Sequence, residues 1–259
     1  MPVVLTPEWR EPPPGLTVLS TTRHGGVSEP PWDSMNLGRH TGDDADAVQA
    51  NRARLVDAFH LPAEPRWLRQ VHGTAVAVFS NGAGGGEEAD AAYTDQPGIV
   101  IAVLTADCLP VVIASADGTA VAVVHAGWRG LADGILDEVL GHFDGRGPLK
   151  AWLAPAIGPD AFEVGPEVRA AFVRRDTSLD AAFRQKPNAD GAEKYLGDLY
   201  AITRADLSRL GVDDVVGGQH CTFTEAEDFH SYRRDGARSG RMATLAWIAL
   251  QSGESGTSD

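Results

Sequence analysis

Short apolar runs alternate with glycine-rich and polar stretches along this chain, and most of the runs are too short to be helices. Three runs in the middle of the sequence are rich in β-branched residues, which predicts strands buried on both faces. They lie at 99–104, 110–114 and 120–124. Other apolar runs predict further strands at 16–19, 151–155, 212–216 and 242–250.

Apolar residues recur at helical spacing in other segments, which predicts four helices. These run from Asp43 or Asp44 to about His60, onward from Gly130, from Pro166 to about Arg175, and over 193–210 with Gly211 as the cap. Residues 66–79 are typical of two strands broken at His72-Gly73, and residues 21–42 and 80–92 predict loops. This mixture predicts an α/β or α+β fold.

The 259 residues contain no low-complexity linker and no internal repeat, which predicts one domain over residues 1–250 with two sheet regions. Residues 251–259 are rich in Ser and Gly, which predicts a disordered tail. A hydrophobic fraction of 43% and a charged fraction of 22% are typical of a globular protein.

The formal net charge of −14 argues against a long polyanionic partner, so no DNA or RNA partner is expected. No run approaches the ~18 apolar residues of a membrane span, and the N-terminus lacks the basic and apolar segments of a signal peptide. We therefore expect a cytoplasmic protein without a membrane partner, in which Cys108 and Cys221 stay reduced.

Three short segments in the middle of the chain each carry one soft metal ligand. His72 lies in Gln-Val-His-Gly, Cys108 in Ala-Asp-Cys-Leu-Pro, and His125 in Val-His-Ala-Gly-Trp-Arg-Gly, all at the edges of predicted strands. Two imidazoles and a thiolate can hold a zinc ion and leave its fourth position open, which is typical of a catalytic site. The spacings of 36 and 17 residues match no compact zinc motif, so spacing alone is weak evidence.

These residues also suit two other kinds of site. Cys108 and His125 could form the thiolate and imidazolium pair of a cysteine hydrolase, with Asp107 or another acid orienting the imidazole. A structural zinc module would need a fourth protein ligand, for which His220 and Cys221 are the obvious suppliers. The residues alone do not separate these alternatives.

Further motifs accompany the three ligand segments from about residue 21 to 250. They are Thr22-Arg23-His24-Gly25-Gly26-Val27-Ser28, Met35-Asn36-Leu37, Gly42-Asp43-Asp44, Asn51-Arg52, Ile157-Gly158-Pro159, Val164-Gly165, Cys221-Thr222 and Ser231-Tyr232-Arg233-Arg234. With these motifs the chain resembles the bacterial laccase-like multicopper polyphenol oxidoreductase family. Members of that family are also described as multifunctional purine nucleoside phosphorylases with adenosine deaminase activity, and as peptidoglycan editing factors.

The resemblance implies mixed β-sheets packed face to face with helices outside, in α-β-β-α layers similar to the cytotoxic necrotizing factor deamidase domain. It implies one Zn2+ held by His72, Cys108 and His125, which would also be the catalytic residues. The implied activities are phosphorolysis of adenosine, inosine, guanosine and methylthioadenosine, and hydrolytic deamination of adenosine. A cysteine hydrolase or amidase that edits peptidoglycan precursors is the alternative.

Oxidation of polyphenols by several copper ions is discounted. The chain has eight histidines and no His-x-His pair for a trinuclear copper cluster. Zinc is therefore favoured over copper at the one expected site.

The expected partners are small molecules, a purine nucleoside and phosphate, bound by a monomer. Arginine suits phosphate because its planar fork donates two hydrogen bonds. Arg23 in the glycine-rich N-terminal loop is the first candidate for phosphate binding, followed by Arg129 and Arg233. Asn36 is a candidate contact for the base or the ribose, with a turn-forming role as the alternative.

Overall fold

Two mixed β-sheets packed face to face form the centre of the protein in a computed structural model, which describes residues 1–80, 87–187 and 192–250. In chain order the strands are β1 (Val4–Leu5), β2 (Leu16–Thr21), β3 (Arg66–Trp67), β4 (Val76–Val78), β5 (Ala91–Thr94), β6 (Ile101–Thr105), β7 (Leu109–Ser115), β8 (Val121–Ala126), β9 (Leu149–Leu153), β10 (Glu163–Val164), β11 (Phe183–Lys186), β12 (Lys194–Gly197), β13 (Asp214–Gly217) and β14 (Met242–Ile248). The helices are α1 (Ala45–Phe59), α2 (Trp128–Ala132), α3 (Ile135–Gly141), α4 (Pro166–Arg175), α5 (Leu199–Arg209) and α6 (Tyr232–Asp235).

The first sheet has the strand order β1-β2-β14-β6-β3, and the second has the order β13-β9-β7-β8-β5-β4. A small third sheet has the order β10-β12-β11. Because β2 pairs with β14, segments from near the two ends of the chain meet in the first sheet. The strands β6 and β7, which are adjacent in the sequence, lie in different sheets, so the turn between them crosses from one sheet to the other.

Apolar side chains fill the space between the two sheets. Ile101 and Val103 of β6 pack there with Val112 of β7 and Val123 of β8. Every residue of these three strands is buried, as expected for strands covered on both faces. The apolar runs of the middle segment therefore became strands as predicted.

Helices cover the outer face of each sheet. Leu55 of α1 packs with Leu245 on the first sheet, whereas Leu131 of α2, Ile135 of α3 and Phe172 of α4 pack on the second. Burial of each such side chain contributes about 1.5–3 kcal/mol. The layers run α-β-β-α, which confirms the fold class expected from the sequence. Among the described helices, none has both the length and the apolar character needed to cross a bilayer.

Two predicted helices differ from the structure. The prediction of one helix over 193–210 is wrong, because residues 194–197 form β12 and only the later part forms α5. Asp198 starts the helix there by accepting the N–H of Ala201 at 2.9 Å. The helix predicted onward from Gly130 begins earlier, at α2, and is divided from α3 at Gly134, where φ is 91°.

The loop predicted over 80–92 was also too long. β5 begins inside it, and its residues 81–86 lie outside the described residues. The predicted tail at 251–259 lies outside them as well.

Candidate metal centre

Three potential metal ligands meet where the two sheets are joined. The turn from β6 to β7 carries Cys108. His125 lies in β8 opposite Pro110 of β7, and His72 lies in the loop between β3 and β4. The ligand atoms of the three residues all lie within 4.8 Å of one another. The structure thus brings together the three residues that the sequence singles out.

The three side chains differ in their exposure. His125 is buried, Cys108 is half-buried and His72 is exposed. Cys108 Sγ lies 3.8 Å from His72 Nε2, and the two imidazole rings meet edge to face with centroids 4.7 Å apart. One side of the cluster is therefore anchored in the core, and the His72 side faces solvent.

Asp90 ties this cluster together, and its side chain is fully buried. Its Oδ2 accepts the N–H groups of Val71 at 3.1 Å and Gly73 at 2.7 Å, and its Oδ1 accepts that of His72 at 2.9 Å. Its Oδ1 also lies 2.7 Å from His125 Nδ1. A proton on Nδ1 leaves Nε2 of His125 free to bind a metal. One carboxylate therefore orients two of the three ligands.

The hydrogen bonds to Asp90 keep its carboxylate ionised. Burial acts to raise the pKa of Asp90, but hydrogen bonds from His125, Gly73 and Val71 outweigh burial and lower that pKa. They also hold the loop at His72, whose φ of 62° lies in the left-handed region that disfavours residues with a side chain by roughly 1–2 kcal/mol.

Asp107 fixes the turn that carries Cys108. Its φ is 87°, and its two carboxylate oxygens accept from Thr222 Oγ1 at 2.7 Å and from the N–H of Arg233 at 2.6 Å. Both oxygens thus hold segments that are distant in the sequence, the loop at Thr222 and the start of α6, against the turn. The acid that orients the His125 imidazole is Asp90, not Asp107. The sequence leaves this open, with Asp107 or another acid in the orienting role.

The charges in the cluster favour a thiolate. Burial acts to raise the pKa of Cys108, but the adjacent His125 and His72 outweigh burial and lower that pKa. Burial acts to lower the pKa of His125, but Cys108 and Asp90 outweigh it and raise that pKa. The thiolate is the form of cysteine that binds metals and attacks electrophiles, so this charge pattern suits either chemistry.

The donors and the space around them fit a metal ion. Imidazole nitrogens and thiolates are donors that zinc prefers, and three protein ligands are typical of a tetrahedral zinc site with an open fourth position. In the part of the chain that the structure describes, no fourth His, Cys, Asp or Glu joins the cluster. Gly127 leaves room beside all three ligands, since a Cβ there would lie 3.0 Å from His72 Cδ2, 3.3 Å from Cys108 Sγ and 3.7 Å from His125 Cε1.

Replacing Gly127 with alanine is expected to weaken metal binding while the protein stays folded. Its φ of −65° suits alanine, so the effect comes from the new methyl group, which pushes against His72 and Cys108. We expect metal affinity to fall by about 10-fold or more, because small displacements of ligands disturb the coordination geometry. Competition with a chromogenic chelator measures this affinity.

Gly141→Ala is the matched control for that variant. A Cβ at Gly141 would meet no atom within 4 Å, and the residue ends α3 away from the cluster. Wild-type metal affinity in Gly127→Ala would show that the metal does not occupy the space beside Gly127.

The two residues named as fourth ligands of a structural zinc site have other partners. His220 Nδ1 lies 2.8 Å from Glu225 Oε2, and Cys221 Sγ accepts the N–H of Gly158 at 3.2 Å. Neither belongs to the three-residue cluster. The geometry therefore favours the open site over the structural module.

The arginines proposed for phosphate lie in three different settings. Arg23 donates from Nε to the Asp33 carbonyl at 2.8 Å and from Nη1 to that of Ala226 at 2.9 Å, so it ties two loops together. Arg129 is exposed at the start of α2, stacked 4.4 Å from the Trp128 ring centre. Arg233 lies next to the Cys108 turn through its N–H, as described above. Phosphate binding by each of them stays a prediction.

Asn36 is fully buried in the loop that precedes α1. Its Nδ2 donates to Thr41 Oγ1 and Asp43 Oδ2, both at 2.9 Å. Its Oδ1 accepts the N–H groups of Gly38 at 3.0 Å and Arg241 at 2.8 Å. The amide is thus engaged on both sides within the protein, as the turn-forming alternative expects, and contact with a substrate stays a prediction.

Sequence reasoning missed Asp90, although the sequence carries a signal for it. It is an acidic residue between Ala89 and Ala91 at the start of an apolar run. Charged residues are almost never fully buried unless they are paired, so an acid in such a run indicates a partner.

Comparison with known protein families identifies the family of this chain. The family described as multi-copper polyphenol oxidoreductase laccase matches residues 17–249. The chain belongs to that family. The resemblance drawn from the motifs is thereby confirmed. The family's name implies several copper ions. The described residues contain one cluster of three potential ligands, and the sequence likewise predicts a single site.

Relatives in this family are similar along almost their whole length. The chain is 49% identical over 249 residues to purine nucleoside phosphorylase YfiH of Escherichia coli (strain K12), covering 96% of this chain and 100% of the relative. It is 44% identical to a purine nucleoside phosphorylase of Pseudomonas aeruginosa, covering 94% and 98%.

Solved structures show the same fold. A Neisseria meningitidis protein superposes with a TM-score of 0.86 at 44% identity, covering 95% of this chain and 99% of that one. YlmD from Geobacillus stearothermophilus superposes with a TM-score of 0.79 at 30% identity, covering 92% and 93%.

Proposed function

We propose that this chain is a zinc-dependent purine nucleoside phosphorylase. Its substrates would be adenosine, inosine, guanosine and methylthioadenosine, and it would also deaminate adenosine. The observation that carries the proposal is the open cluster of His72, Cys108 and His125, in a chain 49% identical along its length to a protein named purine nucleoside phosphorylase. We also propose that residues 1–250 form one catalytic domain, because β2 and β14 pair.

Each part of the site would have a separate role in the reaction. His72, Cys108 and His125 would hold the zinc ion, which when bound supplies Lewis-acid stabilisation of negative charge on the substrate. Asp90 keeps the proton on His125 Nδ1 and fixes the loop of His72. The exposed face at His72 admits nucleoside and phosphate, and the buried side excludes water from the back of the site.

Incubation of the zinc-loaded protein with adenosine, with and without phosphate, tests the proposal. We expect adenine only when phosphate is present, and inosine whether or not phosphate is present. Hypoxanthine should require phosphate, because it forms by phosphorolysis of inosine. Removing the metal with a chelator should abolish all three products, and adding Zn2+ back should restore them. Chromatography separates the products, and elemental analysis should find about one zinc per chain.

A matched control in that experiment is protein taken through chelation and reloaded with Mg2+, which is a poor partner for thiolate and imidazole ligands. Products formed at an undiminished rate by the chelated protein would contradict the proposal. So would a zinc-loaded protein that converts none of the nucleosides.

A second candidate function is a cysteine hydrolase or amidase that edits peptidoglycan precursors. One observation favours it. In space, Cys108 lies beside His125, and His125 Nδ1 lies against Asp90, which is the arrangement of a nucleophile, a base and an orienting acid. This enzyme would be inactivated by alkylation of Cys108 and would be indifferent to chelators. His72 has no part in such a triad, whereas it is a ligand in the proposed metal site.

A further inference from the structure

Arg241 lies beside the candidate metal centre, although it is far from it in sequence. It immediately precedes β14, in which Met242 pairs with Thr105 at the end of β6, and the Cys108 turn follows β6 directly. Burial lowers the pKa of Arg241, and the charges of Cys108 and Asp107 act in the opposite direction. The guanidinium carbon lies 5.7 Å from the ring centre of Tyr232, and the next residue, Arg233, donates its N–H to Asp107 in the Cys108 turn at 2.6 Å. These contacts place the guanidinium on the side of the turn that carries Cys108.

The loop over 36–38 holds the backbone and the stem of Arg241. The N–H of Arg241 donates to Asn36 Oδ1 at 2.8 Å, and its carbonyl accepts the N–H of Leu37 at 3.0 Å. Gly38 makes room for the stem, since a Cβ there would lie only 2.7 Å from Arg241 Cγ. These contacts give the Met-Asn-Leu motif a role in placing this arginine.

One edge of the guanidinium is fixed and the other is open. Nη1 donates to the carbonyls of Ser239 at 2.7 Å and Gly240 at 3.0 Å. The Tyr232 ring centre lies 5.7 Å from the guanidinium carbon. Among the described residues, none accepts from Nε or Nη2, and no carboxylate pairs with Arg241. Arg23 and Arg234 nearby do pair with carboxylates, those of Asp33 and Asp235.

We propose that Arg241 binds the phosphate co-substrate beside the metal centre, with Nε and Nη2 as the donating fork, an inference that rests on the proposed phosphorolysis. A planar pair of charged donors matches two oxygens of a phosphate. A half-buried cation without a carboxylate is unfavourable on its own, so an anionic ligand completes its environment. The fixed Nη1 edge aims the open edge before phosphate arrives.

Direct titration with inorganic phosphate tests this assignment on the zinc-loaded protein. We expect Arg241→Gln to weaken phosphate binding by roughly 10- to 100-fold, as expected when charge-assisted hydrogen bonds are lost. The KM for phosphate in phosphorolysis should rise by a similar factor, while the KM for the nucleoside changes little. Arg241→Lys keeps the stem and the charge but loses the fork, so we expect an intermediate loss.

Arg238→Gln is the matched control, because Arg238 is exposed in the same segment. If Arg241→Gln fails to fold, Gly38→Ala decides the question, since its methyl group displaces the stem and should weaken phosphate binding while the arginine is still present. Wild-type phosphate affinity in the folded Arg241 variants would overturn the assignment, and so would a rise in the KM for the nucleoside with no change in phosphate affinity. The titration needs no turnover, so its result is independent of whether the protein is a phosphorylase.

Discussion

Replacing Cys108 with alanine is expected to abolish phosphorolysis and deamination and to remove the bound zinc. The variant keeps two imidazoles but loses the one thiolate of the cluster, so the site falls below the three protein ligands typical of a catalytic zinc. We expect kcat/KM to fall on the order of 10³-fold or more, because the metal supplies several kcal/mol of stabilisation in the transition state. Product assays with adenosine and elemental analysis of the purified variant measure the two effects.

Cys221→Ala is the matched control, since Cys221 is also a half-buried free cysteine and lies outside the cluster. His72→Ala separates the two candidate functions. A metal enzyme should lose zinc and activity with it, whereas a Cys108–His125–Asp90 hydrolase keeps all three of its residues. Full phosphorolysis by a zinc-free Cys108→Ala protein would show that the metal assignment is wrong.

The strands around the site could be predicted because their signal is local. The apolar runs at 99–104, 110–114 and 120–124 are continuous, and such runs indicate strands covered on both faces. They placed Cys108 and His125 at strand ends, which is where the structure has them. Their meeting with His72 could not follow from spacing. The His72 loop is placed by the pairing of β3 with β6 and of β4 with β5, and by the hydrogen bonds of its N–H groups to Asp90, which are contacts between segments that are distant in the sequence.

Contacts between distant segments account for what the sequence did not predict. Residues 194–197 have no strong local preference for a strand, and they form one because β12 is paired on both sides, by β10 and β11. Asn36 looks like a turn residue or a substrate contact, but its partner Arg241 lies 205 positions away. Such partners are fixed only by the tertiary fold.

Replacing Asp90 with asparagine is expected to weaken both the fold and the metal site. The carboxylate receives donors on both oxygens, from the N–H groups of Val71, His72 and Gly73 and from His125 Nδ1. An amide has one accepting oxygen, so in either orientation its NH2 group faces N–H donors in a fully buried place. We expect the free energy of unfolding to fall by about 2–4 kcal/mol, measured by urea denaturation of the metal-free protein.

Metal affinity of this variant should fall by roughly 10- to 100-fold, as is typical when the acceptor behind a ligating histidine is lost. Asp95→Asn is the matched control, because Asp90 immediately precedes β5 and Asp95 immediately follows it. Asp95 forms a half-exposed ion pair with Arg146, and such a pair contributes about 0–1 kcal/mol to stability. The two effects are separable, because the loss of stability is measured without metal and the loss of affinity on protein that is still folded. A stable Asp90→Asn protein with weakened metal binding would mean that the loop at 71–73 holds its shape without the carboxylate. An Asp90→Asn protein unchanged in both respects would mean that Asp90 neither orients His125 nor fixes the loop of His72.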